Sequence, residues 1–172
     1  DGLSALVPAG DEPDLAWADD NRTLLYVEKD PITLLGRRIR AHVLGALSAT
    51  DRLIYEEPDE AFSLSVMRSK SQSYLYIGSE STTSSEWRYA RADDPDLAFR
   101  VFSARAADHE YQIEDLDEHF YVRTNFGAVN FRIVRAPIAQ PDDRSRWVDD
   151  VPHEDAAAGD VSGEEGSGVR RQ

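Results

Sequence analysis

Short stretches in which apolar and polar positions alternate run through most of the chain, and three of them resemble one another. They read LLYVEKD at residues 24–30, YLYIGSE at residues 74–80 and HFYVRTN at residues 119–125, each with a tyrosine at the third position. The tyrosines Tyr26, Tyr76 and Tyr121 recur about every 45–50 residues. Alternation with a period of two, together with frequent aromatic and β-branched residues, predicts β-strands.

Each tyrosine stretch is preceded by one similar phrase and followed by two, so every unit reads as four short strands. The preceding phrases are DLAWADD at 14–20, FSLSVMRS at 62–69 and YQIEDLDE at 111–118. The following phrases are IRAHVL at 39–44, DRLIYEE at 51–57, WRYARA at 87–92, AFRVFSA at 98–104, FRIVRA at 131–136 and SRWVDDV at 145–151. Turn-forming residues such as Asp93-Asp94-Pro95 and Asn125-Phe126-Gly127 separate the phrases.

Self-similarity at roughly 40–50 residues with four strands per unit is typical of β-propeller blades. We therefore predict an all-β fold, a β-propeller with about three four-stranded antiparallel blades at residues 14–60, 61–110 and 111–155. Because propeller rings close with roughly four to eight blades, we expect these blades to belong to a larger ring. Residues 1–13 are predicted to be a linker or frayed entry, and residues 156–172 a disordered, acidic, Gly-rich tail.

The residues on either side of the repeated tyrosines are expected to fill the layers between blades, because radial stacking covers both faces of each sheet. These residues are Leu25, Val27, Leu75, Ile77, Phe120 and Val122. Strand alternation places Tyr26, Tyr76 and Tyr121 on the opposite face, where a neighbouring blade can bury them too.

Charge and composition exclude several classes of partner and chemistry. The net charge of −14 disfavours binding to nucleic acids and to anionic membranes. The absence of cysteine from the sequence excludes disulfides, thiolate catalysis and cysteine-based metal sites. No apolar run reaches the roughly 18 residues of a membrane span, and no export signal is visible, so a cytoplasmic location is the default expectation.

The sequence contains none of the common catalytic motifs. The stretch Gly78-Ser79-Glu80-Ser81 lacks the second glycine of a G-x-S-x-G nucleophile elbow, and the serine-rich run at 81–85 predicts a solvated hairpin loop. The histidines lack the i, i+4 spacing of a metal-binding helix and are interpreted as surface or half-buried residues; they are His42, His109, His119 and His153. We predict no catalytic, cofactor-binding or metal-binding residues in this chain.

Two repeated polar features have both a functional and a structural interpretation. The acidic pairs Glu56-Glu57, Asp93-Asp94 and Asp149-Asp150 are interpreted as turns and sheet edges, because adjacent strand residues point to opposite faces. The repeated arginines Arg40, Arg88 and Arg132 could face a central tunnel and bind peptide carboxylates. Alternatively, they are exposed strand residues that pair with neighbouring acids, which is the interpretation we favour.

Several phrases resemble the N-terminal β-propeller of oligopeptidase B-like enzymes, which belong to the prolyl oligopeptidase family of serine peptidases. They are DLAWADDNRTLLYVEKDP, LIYEEPDEAFSLSV, YIGSESTTSSEWRYARADDP and HFYVRTNFGAVNFRIVRAP, and the similarity runs from about Asp14 to Asp155. The departure from the family pattern after Asp155 predicts a truncation or a shifted reading frame.

The resemblance implies a seven-bladed propeller that caps an α/β-hydrolase domain and admits only short, unfolded peptides. It also implies cleavage after basic residues, without a cofactor. The catalytic serine, aspartate and histidine of the family belong to the hydrolase domain, so none is assigned here and the chain alone is expected to be inactive. The implied partners are that hydrolase domain and short peptide substrates.

A second hypothesis is a free-standing propeller-like module that binds a partner protein. A homodimer or homotrimer that completes a ring in size-exclusion chromatography would favour it, whereas a neighbouring reading frame with G-x-S-x-G would favour the peptidase. A third, a sugar-processing propeller, requires paired catalytic carboxylates in a pocket, and the sequence does not single out such a pair.

Overall fold

A computed structural model describes residues 15–128 and 130–151 of the chain. It contains twelve strands: β1 (Leu15–Trp17), β2 (Thr23–Lys29), β3 (Gly36–Val43), β4 (Arg52–Glu56), β5 (Ser63–Arg68), β6 (Tyr74–Glu80), β7 (Ser85–Arg91), β8 (Arg100–Val101), β9 (Tyr111–Leu116), β10 (His119–Thr124), β11 (Arg132–Pro137) and β12 (Val148–Val151). Each overlaps one of the predicted phrases. In these ranges helix is limited to the 3-10 turns Ser48–Thr50 and Arg144–Arg146, so the all-β prediction is confirmed.

The strands form three antiparallel sheets of four, each an up-and-down meander along the chain. The first sheet is β1–β4, the second is β5–β8 and the third is β9–β12. None of the helical turns in the described ranges is long or apolar enough to cross a membrane. The predicted terminal segments, residues 1–13 and 156–172, lie outside the described residues.

β8 is shorter than the phrase at 98–104 predicted. Only Arg100 and Val101 pair with β7. The chain then turns so that the Phe102 side chain is fully buried between the second and third sheets, while its amide donates to the Trp87 carbonyl at 2.8 Å. This hydrogen bond continues the pairing with β7 by one residue, and the strand ends where the Phe102 ring is buried.

Two apolar layers hold the three sheets together, one on each side of the second sheet. The layer between the first and second sheets is mostly aliphatic and contains Leu25, Val27, Ile39, Ala41, Leu64, Val66, Leu75 and Ile77. The layer between the second and third sheets is rich in aromatic rings and contains Tyr74, Tyr76, Trp87, Phe102, Tyr111, Phe120, Val122 and Val134. All six residues predicted to fill the layers are therefore buried where expected.

The three repeated tyrosines do not occupy equivalent faces, although the sequence presents them as equivalent. Tyr76 lies in the layer facing the third sheet, whereas Tyr121 lies on the far side of the third sheet and is only half-buried. In the first sheet, Leu25 and Val27 face the second sheet, so Tyr26 points away from it. Relative to the sheets, Tyr26 is thus offset by one residue along its strand from Tyr76 and Tyr121. In a strand, an offset of one residue moves a side chain to the opposite face of the sheet.

Each sheet approaches the one before it most closely through its first strand. β5 contacts β1, β2 and β3 of the first sheet, and β9 contacts β7 of the second. Gly36 shows how close this approach is, since a Cβ atom added there would lie 2.4 Å from the Leu64 carbonyl oxygen. A larger residue at position 36 would push the first two sheets apart.

Candidate functional site

The linker between the first and second sheets carries a buried carboxylate. Glu57 follows β4 directly, and its side chain has no exposed surface. It accepts hydrogen bonds from Arg105 Nη2 at 2.7 Å and Nη1 at 3.3 Å, from the Ser79 hydroxyl and from the Asp59 amide at 3.0 Å. A buried charge is tolerated when it is paired and hydrogen-bonded in this way.

Arg105 extends this network into the linker between the second and third sheets. The Arg105 guanidinium lies 3.6 Å from the ring centroid of Phe62. The backbone amide of Arg105 donates to Glu86 Oε2 at 3.0 Å. Glu86 also accepts from Arg88 Nη2 at 2.6 Å, and the Arg88 guanidinium lies 3.9 Å from the ring centroid of Tyr55. We call Glu57, Ser79, Glu86, Arg88 and Arg105 the charged cluster; it joins both linkers to strands β4, β6 and β7.

The surroundings of Glu57 favour its ionised form. Burial by itself would raise the pKa of this carboxyl group, but the hydrogen bonds from Arg105, Ser79 and the Asp59 amide outweigh burial and lower the pKa to about 2. The Arg105 guanidinium has its pKa raised, because ion pairing with Glu57 outweighs its partial burial. The ion pair between Glu57 and Arg105 is therefore charged at neutral pH, and it joins the linker after the first sheet to the linker after the second.

A second polar contact crosses the layer between the second and third sheets. The Tyr76 hydroxyl donates to Asp115 Oδ1 at 2.7 Å, and the Ser71 hydroxyl donates to Asp115 Oδ2 at 2.5 Å. Burial, and then the carboxylate of Asp115, raise the pKa of Tyr76 well above its usual value. Tyr76 therefore remains a neutral donor that ties β6 to β9.

Replacing Tyr76 by phenylalanine is expected to lower the free energy of unfolding by about 1–2 kcal/mol, because Asp115 loses a buried hydrogen-bond donor. Urea unfolding of the full chain measures this loss. Tyr121→Phe is the matched control and is expected to change stability by less than about 0.5 kcal/mol, since Tyr121 is half-buried on the face of the third sheet turned away from the second. Equal losses in the two variants would contradict the assigned role of the Tyr76 hydroxyl.

Two histidines that the sequence places at or near the surface are in fact buried. His42 Nδ1 lies 2.7 Å from Asp51 Oδ1, and Asp51 also accepts from the Tyr26 hydroxyl at 2.9 Å. His109 Nε2 lies 3.0 Å from the Thr124 hydroxyl. The interpretation as surface or half-buried residues was therefore wrong for His42 and His109, correct for the half-buried His119, and His153 lies outside the described residues.

His109 does not have the arrangement of a catalytic base. Arg144 Nη2 donates to its Nδ1 at 3.2 Å, in the position where a catalytic triad places a carboxylate. Burial and the Arg144 charge lower the pKa of His109 to about 4, so the ring is neutral at neutral pH. Its role is to hold the loop that carries Arg144 against the third sheet.

The repeated arginines each pair with an acid, as the favoured interpretation expected. Arg40 contacts Glu28, Arg88 contacts Glu86 at 2.6 Å, and Arg132 contacts Asp149 at 3.1 Å. They are half-buried rather than exposed, which corrects one part of that interpretation. All three also lie on the sheet face that points back along the chain, since they pair across strands with Tyr26, Ile77 and Thr124.

The serine-rich run at 81–85 forms the predicted hairpin between β6 and β7, but only part of it is solvated. Ser84 and Ser85 are buried, and the Ser85 hydroxyl donates to the Tyr111 carbonyl at 2.8 Å.

The acidic pair Glu56-Glu57 points to two different environments, as predicted from strand alternation. Glu56 contacts Arg38 at the surface, whereas Glu57 is buried. Glu57 directly follows the edge strand β4, so the interpretation as turns and edges holds for its position, although its side chain is buried.

Sequence reasoning missed the charged cluster although one signal for it was available. Strand alternation places Tyr55 and Glu57 on the same face, and the Tyr55 hydroxyl donates to Glu57 at 3.2 Å. The partner, Arg105, lies 48 positions further along the chain, so local patterns cannot identify it. Within residues 15–128 and 130–151, no group of three or more His, Asp or Glu side chains is arranged to hold a metal ion.

Comparison with known proteins agrees with this architecture. The sequence model of the prolyl oligopeptidase N-terminal β-propeller domain matches residues 8–164. Dipeptidyl aminopeptidase BI of Pseudoxanthomonas mexicana is 46% identical over 145 residues, which is 84% of this chain and 20% of that enzyme. The chain thus spans about a fifth of the length of this relative.

Solved structures show the same fold. Oligopeptidase B from Leishmania major superimposes with a TM-score of 0.73 at 28% identity, over 78% of this chain and 19% of that one. Oligopeptidase B from Trypanosoma brucei superimposes with a TM-score of 0.73 at 23% identity, over 82% and 20%. With the family match covering most of the chain and the three stacked sheets, this chain belongs to the prolyl oligopeptidase family and forms part of its N-terminal β-propeller domain.

Proposed function

We propose that this chain is a segment of the propeller that caps the active site of a serine oligopeptidase, where it restricts entry to short, unfolded peptides. The observation that carries the proposal is the stack of three four-stranded sheets in the described residues, together with the match of the sequence to the family's propeller model. The proposed partner is an α/β-hydrolase domain that supplies the catalytic serine, aspartate and histidine. The proposed substrates are short peptides cleaved after basic residues.

The proposed role is steric, so it depends on rigidity. A ring excludes folded proteins only if its blades do not separate, and separating the first two sheets here would expose the aliphatic layer and the charge of Glu57. Separating the second and third would expose the aromatic layer and Asp115. Both separations are unfavourable because they combine exposure of apolar area with loss of buried polar contacts.

The outer faces of the stack are where further blades of a seven-bladed ring would lie. The first sheet presents Tyr26 and Arg40 on its outer face, and the third presents Tyr121 and Arg135. On each outer face, a tyrosine of the second strand lies beside an arginine of the third strand. They support the proposal that neighbouring blades continue the stack on both sides.

A chimera tests this function. If the segment of the Pseudoxanthomonas enzyme that aligns with this chain is replaced by it, we expect the chimera to hydrolyse short chromogenic peptides at a rate within about tenfold of the parent, because both segments serve as the same structural element. We also expect a folded protein to remain uncleaved. Hydrolysis rates for both substrates measure the two expectations.

Two results would contradict the proposal. One is a correctly folded chimera that cleaves folded proteins or has no activity on short peptides. The other is turnover of an arginine-containing chromogenic peptide by this chain alone that a serine-directed inhibitor abolishes, since that would place a catalytic centre within the chain.

A further inference from the structure

The turn between β2 and β3 exposes large apolar side chains at the end of the first sheet. Ile32 is 89% exposed and Leu34 is 69% exposed. Among the large apolar side chains of the described residues, only Leu47, at 77%, is comparably exposed. We call residues 30–35 the apolar tip.

The apolar tip is nevertheless closely hydrogen-bonded. Asp30 Oδ1 accepts from the amides of Ile32 and Thr33, each at 2.8 Å. The Asp30 carbonyl accepts from the Leu34 amide at 2.9 Å, and the Asp30 amide donates to the Leu35 carbonyl at 2.9 Å. The tip is therefore a defined turn, which holds its side chains in one direction.

Leu34 has a left-handed backbone, with φ at +61°, which is unfavourable for a branched side chain. Leu97 has a similar φ, but its side chain is buried in the layer between the first two sheets, and this burial offsets the strain. Leu34 gains no such burial within the described residues. The hydrogen bonds of the turn hold this conformation, and burial of the Leu34 side chain against a partner would offset its cost.

The base of the apolar tip is anchored to the second sheet. The Gly36 amide donates to the Ser63 hydroxyl at 3.0 Å. Arg37 Nη1 donates to the carbonyls of Asp59 at 2.9 Å and Phe62 at 3.3 Å, in the linker next to the charged cluster. The tip is thus rigidly attached to the point where the first two sheets are joined.

We propose that the apolar tip docks into an apolar pocket on the hydrolase domain of the same peptidase; this inference rests on the proposed function. Neighbouring blades would cover the faces of the sheet, but the tip projects from its end, between the two central strands. In a ring, the turns at the strand ends form two opposite faces, and a domain stacked on one face contacts the turns that lie there. About four fifths of the length of the Pseudoxanthomonas relative lies beyond the matched segment, so the remaining chain is large enough to supply this domain.

The test uses two variants, Ile32→Ser and Leu34→Gly, in the active chimera and in this chain alone. Glycine accepts the left-handed backbone, so Leu34→Gly is expected to leave the melting temperature of the chain alone unchanged or to raise it by about 2 °C. In the chimera, both variants are expected to loosen the contact between the domains. The rate at which a protease cleaves between the domains should rise on the order of tenfold, because each variant removes a large apolar contact.

Leu47→Ser is the matched control, since Leu47 is 77% exposed in the loop between β3 and β4, at the other end of the first sheet. It is expected to leave the cleavage rate unchanged. Equal cleavage rates for all variants in an active chimera would overturn the inference. So would a fall in the melting temperature of the chain with Leu34→Gly, or a wild-type dimer that Ile32→Ser dissociates. An inactive wild-type chimera would instead count against the proposed function.

Discussion

Phe120→Ala is expected to lower the free energy of unfolding by about 3–5 kcal/mol, the usual cost of removing a fully buried phenylalanine. Phe120 has no exposed surface and contacts the rings of Phe102 at 5.3 Å, Tyr74 at 5.3 Å and Tyr89 at 5.2 Å between centroids. It is thus the point at which the third sheet meets the rings of the second. Its removal leaves a cavity that these rings cannot all close.

Urea unfolding of the full chain, followed by tryptophan fluorescence and circular dichroism, measures the loss. Phe126→Ala is the matched control, because Phe126 is 42% exposed in the turn between β10 and β11. We expect it to cost less than half as much as Phe120→Ala. If both variants lost the same stability, the aromatic layer would not be what joins the second and third sheets.

Glu57→Gln is expected to cost about 3 kcal/mol at pH 7, because it removes the buried carboxylate closest to the partly buried Arg105 and leaves only acids at 3.8 Å. Glu56→Gln is the control at the adjacent position, and we expect a cost of at most about 1 kcal/mol, since Glu56 and its partner Arg38 are both largely exposed. Urea unfolding at pH 7 compares the two. A loss in Glu56→Gln as large as that in Glu57→Gln would show that burial of the pair does not matter.

The same pair of variants makes a prediction about pH. The pKa of Glu57 is lowered from 4.5 to about 2 in the folded chain, so its contribution is fully present above about pH 4.5. As the pH falls from there to about 2, the unfolded chain binds a proton that the folded chain does not, and stability is lost. The difference between wild type and Glu57→Gln, about 3 kcal/mol at pH 7, should therefore shrink towards zero near pH 2. A difference that stays constant over this range would contradict the lowered pKa.

The two interfaces show how a propeller segment can be rigid by two different means. The first and second sheets are joined by aliphatic packing with an ionised cluster at one end, and the second and third by aromatic packing with a tyrosine–aspartate bond. In the proposed cap, both would resist separation of the blades at neutral pH.

Sequence alone determined where the strands lie and that they come in groups of four. Period-two alternation depends on residues that are two positions apart, so LLYVEKD, YLYIGSE and HFYVRTN reveal β2, β6 and β10 without any knowledge of the fold. Alternation also placed Leu75 and Tyr76 on opposite faces of one strand. The resemblance of these phrases to the oligopeptidase B propeller then identified the family.

Only the tertiary structure decided which face meets which neighbour. Tyr26 points away from the second sheet, because the tyrosine of β2 is offset by one position from the tyrosines of β6 and β10. The apolar pattern of β2 is nearly the same in either position, so the sequence does not show this offset. Glu57 pairs with Arg105, which is 48 positions away in the sequence. Asp115 pairs with Tyr76, which is 39 positions away. Such pairs form when separate sheets stack, so their position and energy depend on distances that a local sequence pattern does not contain.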